Sequence, residues 1–204
     1  MTGQIRELID QLKLGKIVLA GYSMGGRLAL EFYSRFPDYL TGLILESSSP
    51  GIRKKTEREM RYESDKKLAQ MITNNGIKLF VDHWLSLPVF ESLRRLDPDT
   101  YRLLKETKLK NNVTGLANSL LGFSQGRMDN HWDLLSNIKI PVLLIGGSED
   151  QKYAAIFKEI NNLTEGSTLS LIEGAGHNSH LEKPQDFVKL LNKYLRTKDQ
   201  LKFV

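Results

Sequence analysis

The chain has 204 residues, 40% hydrophobic and 26% charged, with a net charge of +5. That length suits one domain, or one domain with a sizeable insertion, and the balance of apolar and charged residues excludes intrinsic disorder. Cysteine is absent, which excludes disulfides and thiolate metal sites, and no apolar run approaches the roughly 18 residues that span a bilayer.

The opening stretch "MTGQIRELIDQLKLGK" lacks the apolar core of a signal peptide, so the expected location is the cytoplasm, with no membrane partner. Within it, Ile5, Leu8, Ile9 and Leu12 fall at helical spacing. "KIVLAG" (16–21) is a short β-branched run ending in glycine, which predicts a buried parallel strand. "GGRLALEFYSRFP" predicts a helix stopped by Pro37, and "LTGLILES" (40–47) a second buried strand with the loop "SSSPG" behind it.

Residues 52 to about 137 are charged, helix-like and rich in aromatics, with no convincing strand. Their basic residues alternate with acids, as in "KKTEREMRYESDKK", the pattern of a solvated helix face. Nucleic acid is therefore not an expected partner; a basic pocket for a small polyanion is the other reading. "IPVLLIGG" (140–147) predicts a third buried strand, "AAIFKEINNL" (154–163) a helix, and "STLSLIEGAGH" (167–177) a fourth strand leading into a loop. "PQDFVKLLNKYLRT" (184–197) predicts a closing helix with Pro184 in its first turn.

This alternation implies an α/β fold, a parallel sheet with helices on both faces. The expected organisation is a core in two parts, 1–51 and 138–204, with residues 52–137 inserted between the second and third strands as a helical lid. A lid of this kind is expected over the C-terminal edge of the sheet, where open α/β sheets carry their sites.

Gly21-Tyr22-Ser23-Met24-Gly25 matches G-x-S-x-G, with a strand before it and a helix after it. A serine at such a sharp turn takes a strained backbone, and its neighbours must be small so that strand and helix approach. The turn lifts the hydroxyl clear of the sheet and leaves the Met24 N–H at a helix N-terminus, ready to serve as an oxyanion donor. The acid and histidine should follow in that order. Asp150 lies just past the third predicted strand and His177 just past the fourth, on the same rim as Ser23. Glu149 is the rival acid, expected to point away; His180 is the rival histidine, expected at the site rim. His83 and His131 read as lid or packing residues. His177 and His180 have no third ligand of matching context, so no metal is expected, and without a Walker motif or dinucleotide fingerprint no organic cofactor is expected either. The expected triad is Ser23, His177 and Asp150: the histidine accepts the serine proton and the aspartate fixes the imidazole tautomer.

Taken together, "GYSMGGRLAL", "LILESSSPGIRKKTERE", "FVDHWLSLPVF", "NNVTGLANSLLGFSQGR" and "GGSEDQKY" resemble the MenH family of α/β-hydrolase-fold proteins, over nearly the whole chain. The resemblance implies a lyase of menaquinone biosynthesis that removes a proton and expels pyruvate from a succinyl-bearing enolpyruvyl cyclohexene substrate, with the triad serine as base. It also implies that Arg27 and Arg61 bind this small polycarboxylate and that Tyr22 and Trp84 line the pocket. A third family arginine is replaced here by Lys108, which keeps the charge but loses the bidentate fork. A general esterase or thioesterase with the same triad remains the alternative, and an inactive fragment the second.

Family members carry several strands ahead of the serine turn, including an "HG" segment whose backbone N–H completes the oxyanion hole; here one predicted helix precedes it. The resemblance therefore implies that the N-terminal part of the sheet is missing. "KIVLA" would then have an open edge that invites self-association. One lost oxyanion donor costs on the order of 10²–10³ in rate. A start assigned too late at an internal Met1, a disrupted gene, and a separate chain supplying the missing part are the three explanations. The intact triad and lid pattern favours the first.

Overall fold

The structure, a computed structural model, describes residues 1–201, with side chains described through Arg196. Residues Met1–Pro50, together with the chain from Asp133 onward, form one compact unit, and Gly51–Trp132 forms a second.

The first unit contains α1 (Thr2–Gln11), β1 (Ile17–Tyr22), α2 (Met24–Arg35), β2 (Leu40–Glu46), and, after the second unit, β3 (Val142–Gly147), α6 (Gln151–Leu163), β4 (Ser167–Ile172), α7 (Ser179–Glu182) and α8 (Pro184–Leu201). The four strands are all parallel, in the order β1-β2-β3-β4. Position in that order explains their burial. Central β3 is buried along its whole length and β2 at every residue but Thr41. Edge strand β1 is only half-buried, with Ala20 exposed. The β-branched run "KIVLAG" forms the strand expected of it, but half-buried rather than buried, because it lies at the open edge that the family resemblance implied.

Side chains alternate across the sheet. Ile44, Leu143, Ile145 and Ile172 form one buried cluster, against which Phe187, Leu190, Leu191 and Tyr194 of α8 pack. Each of the four fully buried strand side chains contributes about 1.5–3 kcal/mol on burial, the half-buried helix side chains less. The Tyr194 hydroxyl donates to the Pro141 carbonyl at 2.7 Å, tying α8 to the start of β3. Leu43, Leu45 and Leu144, on the alternate positions, are also buried. Helices α2 and α6 pack against the strands as well, α2 through a buried stripe of Ala29, Leu30, Phe32 and Tyr33.

The second unit contains no strand among its described residues: its elements are α3 (Lys55–Ser86), α4 (Pro98–Leu109) and α5 (Val113–Gly122), with a 3₁₀ segment over Pro88–Arg95. Gly76, at φ 79° and ψ 175°, interrupts α3, a conformation glycine adopts without steric cost. Asp97 and Asn112 cap α4 and α5, accepting the N–H groups of Thr100 at 3.0 Å and Gly115 at 2.8 Å. No described helix is long and apolar enough to cross a membrane.

Because every strand is parallel, their C-terminal ends share one rim. Tyr22 pairs with Glu46 across β1 and β2, and Gly147 with Ile172 across β3 and β4. Ser23, Asp150 and His177 each follow one of these ends.

Candidate active site

The turn after β1 holds Ser23 at φ 51° and ψ −107°, a left-handed conformation that costs a non-glycine residue of order 1–3 kcal/mol. Neighbouring hydrogen bonds compensate. The Ser23 N–H donates to the Glu46 carbonyl at 2.8 Å, and the Ser48 hydroxyl donates to the Ser23 carbonyl at 2.8 Å. Two glycines make the close approach feasible: a Cβ on Gly21 would collide with the Gly25 backbone, and one on Gly26 would lie 2.5 Å from the Ser48 Cβ. A Cβ on Gly25 itself would meet nothing within 4 Å. The requirement for small residues therefore falls on Gly21 and Gly26, not evenly on the glycines of the G-x-S-x-G pattern. Met24 opens α2, so its N–H is among the helix-terminal amides that lack an intrahelical partner.

The three residues expected to form a triad meet. His177 Nε2 lies 3.1 Å from Ser23 Oγ, and His177 Nδ1 lies 2.6 Å from Asp150 Oδ2. A carboxylate only accepts, so the Asp150 contact puts the proton on Nδ1 and leaves Nε2 free to accept the serine O–H. Asp150 also caps α6, its Oδ1 accepting the Tyr153 N–H at 3.3 Å, so the helix start holds the carboxylate in place. His177 is 3% exposed. Its ring lies between those of Tyr153 and Tyr22, at centroid distances of 4.6 and 5.4 Å. The Glu182 carboxylate straddles the histidine backbone, accepting the Gly176 N–H at 2.8 Å and the Asn178 N–H at 3.1 Å. Burial raises the Tyr22 hydroxyl pKa well above the ordinary tyrosine value, and the Glu46 carboxylate reinforces the shift. Tyr22 therefore remains a neutral hydroxyl at any working pH.

The remaining candidates fall as follows. Arg27 lies half-buried in α2, one turn after Ser23. Glu149 is exposed, and the acid on His177 is Asp150. His180 is half-buried; its Nδ1 faces Glu46 Oε2 at 2.8 Å and its ring lies 5.0 Å from that of Tyr22. In the helical unit, Arg61 is held by Asp65 (Nε to Oδ1, 2.9 Å) and Gln125 (Nη1 to Oε1, 3.1 Å). Asp65 is buried and also accepts the Ser124 hydroxyl at 2.7 Å. Arg61 is therefore a fixed side chain rather than a freely solvated one. Trp84 stacks between Phe80 and Phe90, both at 5.4 Å. Lys108 is half-buried in the last turn of α4, and desolvation holds its ammonium pKa below the usual lysine value. His131 is buried and His83 exposed. No group of three or more His, Cys, Asp or Glu side chains among the described residues could hold a metal.

Four residues that frame the site receive no role from the sequence: Ser48, Tyr153, Glu182 and Glu46. Tyr153 lies in "GGSEDQKY", where the acid draws attention and the ring three residues later does not. Glu182 lies within a few residues of the groups it holds, whereas Glu46 meets the histidine loop only through folding.

The model of the alpha/beta hydrolase fold family matches residues 2–184. A protein of Bacillus subtilis (strain 168), which carries 2-succinyl-6-hydroxy-2,4-cyclohexadiene-1-carboxylate synthase as its provisional name, is 40% identical over 194 residues, 95% of this chain and 71% of that one. The 2-succinyl-6-hydroxy-2,4-cyclohexadiene-1-carboxylate synthase of Serratia proteamaculans (strain 568) is 27% identical over 196 residues, 96% of this chain and 74% of that one. The solved structure of MenH from S. aureus superposes with a TM-score of 0.94 at 33% identity, covering 97% of this chain and 74% of that chain.

Proposed function

This chain belongs to the 2-succinyl-6-hydroxy-2,4-cyclohexadiene-1-carboxylate synthase family of α/β-hydrolase-fold proteins, and from that premise we infer that it is an enzyme of menaquinone biosynthesis. The proposed reaction is a carbon–oxygen lyase step on 2-succinyl-5-enolpyruvyl-6-hydroxy-3-cyclohexene-1-carboxylate, giving 2-succinyl-6-hydroxy-2,4-cyclohexadiene-1-carboxylate and pyruvate. The observation that carries this reading is the continuous hydrogen-bond chain Ser23–His177–Asp150, with links of 3.1 and 2.6 Å, at the end of a parallel sheet.

In the proposed step Ser23 Oγ takes a proton from a ring carbon of the substrate while its own proton passes to His177 Nε2. The C2–H electron pair becomes the C2=C3 double bond, and the ring's existing C3=C4 pair shifts to C4=C5, displacing the oxygen on C5. The C–O bond to the enolpyruvyl group breaks, and the departing enolate is protonated at carbon to give pyruvate. Asp150 stabilises the imidazolium that forms. The Met24 N–H, at the positive end of α2, is the proposed donor to developing negative charge. Arg27, Arg61 and Lys108 are the proposed partners of the substrate carboxylates, and Tyr22 and Trp84 the proposed pocket-lining aromatics. Arg61 suits the role because Asp65 and Gln125 already order its guanidinium.

The test follows pyruvate release from the enolpyruvyl substrate beside p-nitrophenyl ester hydrolysis. Pyruvate release that Ser23→Ala abolishes supports the lyase reading. Strong ester turnover without pyruvate overturns it in favour of an esterase or thioesterase, and the absence of both activities in a folded protein overturns it in favour of an inactive chain.

A further inference from the structure

The mechanism above leaves one buried carboxylate unused. Glu46 ends β2, is 4% exposed, and lies on the same rim as the triad. Among the described residues, its carboxylate bonds to the two residues that close the histidine loop. Oε1 accepts the Ser179 hydroxyl at 2.7 Å and the His180 N–H at 2.9 Å. His180 Nδ1 lies 2.8 Å from Oε2 and 3.0 Å from Oε1, so that nitrogen must carry the proton. The main-chain carbonyl of the same residue accepts the Ser23 N–H at 2.8 Å.

Glu46 is thus attached to both moving parts of the relay. Its backbone holds the turn that carries the serine; its side chain holds the loop that carries the histidine. The 3.1 Å separation between His177 Nε2 and Ser23 Oγ depends on where those two segments sit relative to each other. Glu182 grips the loop from within, through Gly176 and Asn178, and belongs to the same segment. We propose that Glu46 is a positioning residue for the triad, registering the His177 loop on the strand end that also carries the Ser23 turn. It acts through hydrogen bonds it accepts, not through direct contact with substrate.

This inference rests on the Ser23–His177–Asp150 part of the functional reading and is independent of the substrate. A suitable probe is therefore the rate at which a sulfonyl fluoride labels Ser23 in the full chain, followed by intact mass, alongside thermal melting and near-UV circular dichroism. Glu46→Gln keeps an acceptor oxygen for Ser179 and for the His180 N–H and should label within about threefold of the unaltered protein. Glu46→Ala removes both side-chain acceptors while keeping the main-chain carbonyl, and a displacement on the order of 1 Å should slow labelling roughly 10²-fold in protein that is still folded. Ser179→Ala, a milder change, should slow labelling by a few-fold, and it reports on the same tie if Glu46→Ala fails to fold. Labelling of folded Glu46→Ala at the unaltered rate overturns the proposal. So does an equal loss in Glu46→Gln and Glu46→Ala, which would make charge rather than acceptance the relevant property, or unaltered labelling in Ser179→Ala when Glu46→Ala does not fold. A failure of the unaltered chain to label at Ser23 refutes the triad and this proposal together; normal labelling without pyruvate release refutes the lyase reading alone.

Discussion

In the sheet-containing unit, polar side chains reach the rim because four parallel strands end there; in the helical unit, charged side chains are placed by pairs formed along and between helices. Ser23, Asp150 and His177 follow the ends of β1, β3 and β4 and are linked at 3.1 and 2.6 Å. Arg61 is instead set by Asp65 one turn along α3 and by Gln125 after α5. Lys105 of α4 pairs with Asp82 of α3 at 2.7 Å. The first arrangement is made by backbone register, which is hard to shift without unfolding the sheet. The second is made by long side chains, which tolerate exchange more readily. If the two units divide the work as proposed, altering the first should remove turnover and altering the second should weaken substrate binding.

The largest effect is expected from Ser23→Ala, which should lower kcat for pyruvate release by at least roughly 10⁴-fold with the melting temperature little changed. Asp150→Asn comes next. It leaves the shape intact but supports the wrong imidazole tautomer, so kcat should fall roughly 10³–10⁴-fold with KM little altered. In the helical unit, Arg61→Ala should raise KM by roughly tenfold or more while kcat falls less. It also leaves buried Asp65 with the Ser124 hydroxyl as its remaining described donor, at a stability cost of about 2 kcal/mol, since the arginine is partly exposed. A fall in kcat at unchanged KM in Arg61→Ala would break the proposed division.

Lys108→Met should give the smallest change, raising KM several-fold. Lys108 also sharpens the comparison through pH. Desolvation lowers its pKa, so the cationic form is lost on raising pH earlier than for an ordinary lysine. Substrate affinity should therefore decline on the alkaline side, and that limb should be absent from the Lys108→Met profile of KM against pH.

The strand-turn-helix around Ser23 was legible because its constraints are local. A serine at φ 51° needs the tight packing that Gly21 and Gly26 permit, and these residues are adjacent in the chain. The order of acid and histidine was equally legible, since a parallel sheet brings strand ends to one edge whatever their spacing in sequence. For β1, composition pointed to a buried strand and the family resemblance to an open edge, and the open edge is observed. "KIVLAG" has the composition of a central strand, while its place at the edge is a property of strand order. In the helical unit, Gly76 divides Lys55–Ser86 into two helical stretches.

Local patterning thus determined the elements, the serine turn and the identity of the three relay residues, because periodicity, glycine placement and strand-end position all act within a few residues. Tertiary structure alone decided which carboxylates support the relay. Glu46 and Ser179 are separated by 133 positions, and Arg61 and Gln125 by 64. No local signal distinguishes such residues from solvated charges. They acquire their partners when packing removes water from around them, and a buried polar group must then find its hydrogen bonds in whatever the fold brings near.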